Sequence, residues 1–131
     1  MTEHIASVER VVSNLEAAQF GTSVASGFRL ASTIVRQHQA YADALAVLVN
    51  NRALALPILL DRVAQYIKMD PRPYEHPNDQ TVFGFLLLVE DVFGAESTEL
   101  RVMAAAAEQL PSPWWIRHFI ERMRAASQSG A

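Results

Sequence analysis

Between Val82 and Val89 seven of eight residues are large and apolar, the exception being Gly84. Such a run leaves no polar face, so it must be surrounded by apolar neighbours on every side. It falls well short of the roughly 20 residues needed to cross a membrane. The same holds for Ala53 to Leu60, a largely apolar run that includes Pro57. Both are read as buried core segments. A buried strand would also satisfy Val82–Val89. Continuation through Glu90, Asp91, Val92 and Phe93 to a Gly94 stop favours a helix.

The rest of the chain supplies amphipathic helices to cover that core. Ile5, Val8, Val12 and Leu15 recur at three- and four-residue spacing, with Val11 and Ala18 beside them, so a helix is expected from Thr2 to Phe20. Thr2 offers an N-cap and Gly21 a stop. A second helical stretch starts near Ser23 with Phe28, Leu30, Ile34 and Val35 as its apolar positions. It continues, with or without a break near His38, through Tyr41, Leu45, Leu48 and Val49 to an Asn50-Asn51 turn. A third element, Arg52 to Met69, has little polar face at its start and is expected to be central. Pro57 allows two starts for it, at Arg52 or at Leu56, because proline is comfortable only in a first turn.

Three prolines between Asp70 and Asp79 mark the clearest loop. Asn78 or Asp79 then caps the apolar helix, and Ser97 or Thr98 caps the next, through Leu100, Met103 and Ala104 to Ala107. Ser112-Pro113 opens a last helix to about Ala126 with Trp115, Ile116, Phe119, Ile120 and Met123 on one face. The expected fold is all-α, an irregular helical bundle of six or seven helices. The domain covers residues 1–126, and 127–131 form a frayed tail. A short HEAT-like helical-repeat array is the alternative, because Leu45–Asn51 echoes Phe85–Asp91 at a shift of 40 residues.

Composition narrows function by exclusion. The 131 residues carry a net charge of −3, and there is no cysteine. An acidic chain is a poor general polyanion binder, and disulfides and thiolate chemistry are ruled out. The acidic N-terminus is not followed by an apolar stretch, so no secretory signal is read there and a cytoplasmic location is expected. No Gly-x-Ser-x-Gly elbow and no phosphate loop occurs. His4, His38, His76 and His118 lack metal-ligand spacing, and the one near pair, His118 and Glu121, reverses the di-iron order. No metal, cofactor or catalytic residue is therefore assigned.

Two patches remain as candidate contact surfaces. On the last helix Trp114 projects away from the core face, beside Arg117 and Arg124, a composition enriched at interface hot spots. In the proline loop Tyr74, Glu75 and His76 form the densest cluster of functional side chains. The leading expectation is a non-enzymatic protein-interaction module: an adaptor, an inhibitor or an immunity-type binder. Its partner would be another protein, with a membrane excluded, nucleic acid disfavoured and homo-oligomers left open. One alternative is a small helical enzyme or ligand-binding protein centred on the Tyr74–Asp79 loop. Another is a helix-turn-helix DNA-binding regulator, with the turn at Ala17–Ser23 and Arg29 and Arg36 presented to phosphate.

Overall fold

A computed structural model describes residues 2–18, 28–68, 78–109 and 121, and among these the apolar periodicities resolve into six α-helices, with Glu121 also helical. They are α1 (Thr2–Ala17), α2 (Phe28–Gln37), α3 (Gln39–Val49), α4 (Arg52–Lys68), α5 (Asn78–Phe93) and α6 (Thr98–Ala107). No strand occurs among the described residues, and none of the helices is long and apolar enough to cross a membrane. The fold is an all-α bundle.

Its axis is α5. Every residue from Thr81 to Val89 is buried, and α5 packs against each of the other five helices. Burying a large apolar side chain contributes on the order of 1.5–3 kcal/mol, and Phe83, Phe85, Leu86, Leu87 and Leu88 are all fully enclosed. The expectation that Arg52–Met69 is the central element is corrected by this arrangement. On α4 only Ala55, Leu59 and Val63 are buried, so α4 is a covering helix with a broad apolar stripe. In a repeat array each unit touches only its neighbours. Here α1 reaches α3, α4 and α5, so the helices wrap one shared core and the HEAT-like alternative falls.

Gly84 lets two helices come close to the axis. A Cβ placed there would lie 3.7 Å from Leu15 of α1 and 3.8 Å from Val35 of α2. This contact explains a second correction. The buried face of α2 is Ala31, Ser32 and Val35, small side chains suited to close approach, which turns Leu30 outward at 53% exposure. Ile5 is also exposed, at 41%, because Val8, Val11, Val12 and Leu15 suffice to fill the α1 contact.

Helix ends follow local chemistry. His38 breaks the second stretch: its backbone is extended and its Nδ1 accepts from the Ala40 N–H at 3.1 Å, capping α3. After the two-residue Asn50-Asn51 turn, the Asn51 side chain donates to the Val47 carbonyl at 2.8 Å. The α4 helix starts at Arg52, so the Leu56 start is ruled out and Pro57 lies within the helix. Proline there removes the bond to the Ala53 carbonyl. Both Ala53 and Pro57 are exposed, so water can satisfy that carbonyl. The α5 helix begins at Asn78, which puts Asn78 and Asp79 inside its first turn rather than at the expected cap. Gly94 ends α5 with φ +108°, a conformation only glycine adopts without strain. Ser97 caps α6, accepting from the Leu100 N–H at 3.1 Å. Residues 19–27 and 69–77, and the Ser112–Ala126 helix apart from exposed, helical Glu121, lie outside the described residues.

Two substitutions test this packing. Leu87→Ala should cost about 2–5 kcal/mol in denaturant unfolding. Gly84→Ala should raise stability by about 0.4–1 kcal/mol, because the added methyl meets its neighbours at ordinary contact distance and the unfolded chain loses freedom.

Candidate functional site

Among the described residues, two clusters of polar side chains tie separate helices together near helix ends. Glu90 and Asp91 sit in the last turn of α5, and Glu16 sits in the last turn of α1, neither of which has a basic residue there. A helix C-terminus carries a partial negative charge, so carboxylates there are unfavourable unless a cation offsets them.

Arg36, at the end of α2, offsets the first pair. Its Nε and Nη2 donate to the two oxygens of Asp91 at 3.0 and 2.9 Å, and Nη2 also donates to Glu90 at 2.9 Å. This bidentate fork is the strong geometry for a guanidinium and a carboxylate. Tyr41, in the first turn of α3, donates its hydroxyl to the same Asp91. Three helices are tied at one carboxylate. The second cluster repeats the chemistry: Arg62 of α4 donates to Glu16 at 2.6 Å, and Tyr66, one turn further on, donates its hydroxyl to the other oxygen. The Tyr66 ring stacks on Phe85 with centroids 6.4 Å apart, anchoring this cluster to the core helix.

These partners fix the protonation states. Burial, together with the hydrogen bond and negative charge of Asp91, pushes the Tyr41 phenol well above the usual tyrosine range. Burial and Glu16 do the same to Tyr66. Burial opposes the charge on Arg36, but Asp91 and Glu90 outweigh it and hold the guanidinium protonated.

An open groove of about 480 Å³ runs along α3 beside the first cluster. Its floor is Ala42, Leu45, Ala46 and Val49, positions i, i+3, i+4 and i+7 of a single helix face. Arg36, Tyr41 and Asp91 close one end and Asn50 the other. The buried core face of α3 is Tyr41, Ala44 and Leu48, and Leu45, which lines the groove, is itself partly buried against the core. The helix is thus apolar on both sides, and Val49 is 41% exposed.

The contact residues expected from sequence, Trp114, Arg117, Arg124, Tyr74, Glu75 and His76, lie outside the described residues, as does His118. His4 is exposed and His38 is a helix cap. Among the described residues no group of three His, Cys, Asp or Glu could hold a metal ion. Arg36, expected as a phosphate contact in the helix-turn-helix reading, is engaged by Asp91 and Glu90. Sequence reasoning missed the groove and both clusters. Their partners are 46 to 55 residues apart, and such a separation carries no periodic signal. The adjacent Glu90 and Asp91 were the one visible sign. No protein-family model matches the chain, and comparison with curated proteins and with solved structures finds no match.

The clusters carry two measurable consequences. Asp91→Ala should cost about 1–2 kcal/mol, less than a fully buried ion pair because Arg36 and Asp91 are both partly solvated; denaturant midpoints read this directly. A tyrosine whose folded pKa is raised contributes stability that is complete below the unfolded value near 10 and declines as pH rises beyond it. The denaturation midpoint should therefore fall above about pH 10, and fall less in Tyr41→Phe and Tyr66→Phe.

Proposed function

We propose that this chain is a non-enzymatic protein-interaction module, an adaptor, inhibitor or immunity-type binder that presents a preformed helical surface. The observation that supports it is the outward face of α3. A surface helix ordinarily turns polar residues to solvent. Here Ala42, Leu45, Ala46 and Val49 are set in a groove instead. Apolar residues at this spacing are the anchors by which a helix face engages another protein.

The adjoining polar groups favour binding over catalysis. General acid–base work needs a group that changes protonation near the working pH. Arg36 and Tyr41 are held in their protonated forms, and both oxygens of Asp91 already accept hydrogen bonds. Their role in this reading is to keep the groove wall rigid. Trp114, Arg117 and Arg124 on the last helix, and Tyr74, Glu75 and His76 in the proline loop, enter the proposal as further contact residues on the strength of their composition. The module is proposed to act in the cytoplasm, without metal or cofactor.

The test is affinity capture from native lysate with three baits: wild type, Ala42→Glu, and a Trp114→Ala, Tyr74→Ala double variant. Melting curves must first show that each is folded. A stoichiometric partner held by wild type and lost from either variant is the expected result. Capture of nothing, or undiminished capture by both variants, would overturn the reading.

A further inference from the structure

We propose that α2 is a lid on the central helix, opening on its own while the rest of the bundle stays folded, and that the Arg36 fork is its latch. The proposal stands whether or not the α3 face binds a partner.

The α2 helix is seated on little apolar surface. Among its described side chains Ala31, Ser32 and Val35 are buried, none larger than valine. Every other helix buries a side chain of leucine size or more: Leu15 on α1, Tyr41 on α3, Leu59 on α4, Phe85 on α5 and Leu100 on α6. Ser32 and Thr33 have polar interactions as well, so α2 is seated rather than loose. Resistance to local opening follows buried apolar contacts and differs from one segment of a chain to the next. On that scale α2 is the first of the described helices to leave.

Its neighbours are built to stay without it. Arg36 and Tyr41 share Asp91, so when Arg36 leaves, Tyr41 still ties α3 to α5. The Asp91 side chain is 27% exposed, and water can replace the guanidinium there. The α3 helix has its own start: the His38 Nδ1 accepts from the Ala40 N–H, and the His38 carbonyl accepts from the N–H groups of Tyr41 and Ala42. The extended backbone at His38 is thus a hinge between a helix that can open and one that is capped. A helix of ten residues does not persist alone in water. The lid therefore melts as it opens, and the fork breaks because nothing then places the guanidinium. Opening bares α5 at Gly84, which Val35 covers, and takes Arg36 from the end of the α3 groove. The fork is charged and partly solvated, so salt weakens the latch.

Amide hydrogen exchange on the full chain, read by NMR at several low denaturant concentrations, tests this. In wild type the amides of residues 32–37 should exchange at least about a hundredfold faster than those of 82–89, with little denaturant dependence, the mark of a small local opening. Arg36→Gln should speed exchange of residues 32–37 by about fivefold to tenfold. Raising sodium chloride from about 0.05 to about 0.5 M should speed it severalfold in wild type and less in Arg36→Gln. Val63→Ala on α4, whose main contacts are with α1, α3, α5 and α6, weakens the closed and opened forms alike. It should therefore speed exchange of residues 82–89 at least about fivefold and leave that of 32–37 unchanged. Equal rates and equal denaturant dependence for the two segments would overturn the proposal, because α2 would then open only with the whole molecule. Exchange of residues 32–37 that is unprotected in wild type, or indifferent to Arg36→Gln, would overturn it as well.

Discussion

The bundle depends on the enclosure of α5. A helix with no polar face between Thr81 and Val89 has one stable environment, and each of the other helices contributes one wall of it. This explains why the surrounding elements differ so much in character. The α1 helix brings a regular valine and leucine stripe, α6 brings Leu100, Met103 and small alanines, and α2 brings only small residues where it meets Gly84. None of them needs to be strongly amphipathic alone, because the central helix supplies the apolar partner surface.

The ion-pair clusters belong to the same logic. A bundle wrapped on one helix leaves the ends of its elements at the rim, where carboxylates at C-termini are unfavourable. In both clusters an arginine and a tyrosine converge on such a carboxylate, drawn from helices that are neighbours in space rather than in sequence. The pairs contribute modest stability because they are partly solvated. Their larger effect is geometric. Arg36 and Tyr41 hold the α2–α3 corner against α5, and that corner forms one end of the groove on α3.

The elements legible in the sequence were those with local chemistry. Gly94 stops α5, Ser97 caps α6, the break falls at His38, and Asn50-Asn51 makes the turn, each within a residue of where side-chain type placed it. Facing was less legible. Leu30 and Ile5 fit an apolar period yet point outward, because the depth of each contact is set by the partner helix and not by the period. Pro57 left two starts open for a related reason: an exposed carbonyl makes a proline tolerable within a helix, and the Arg52 start is the one adopted. The groove was hidden because Leu45 and Val49 fit the same apolar period as the buried Tyr41, Ala44 and Leu48, and nothing local marks Val49 as facing outward. Long-range pairs such as Arg36 with Asp91 cannot be read from spacing at all.

The position of α5 along the chain has a consequence for synthesis. Four helices precede it, and although α1 packs on α3 and α4, each of the four also turns a wall to α5 whose partner is made later. Domains generally fold as units while the chain emerges at about 5–20 residues per second. Contacts among α1, α2, α3 and α4 need no later residue, whereas the walls that these helices turn to α5 have no partner until Phe93 has been made. The order of elements therefore leaves the apolar walls that meet α5 open until α5 follows them.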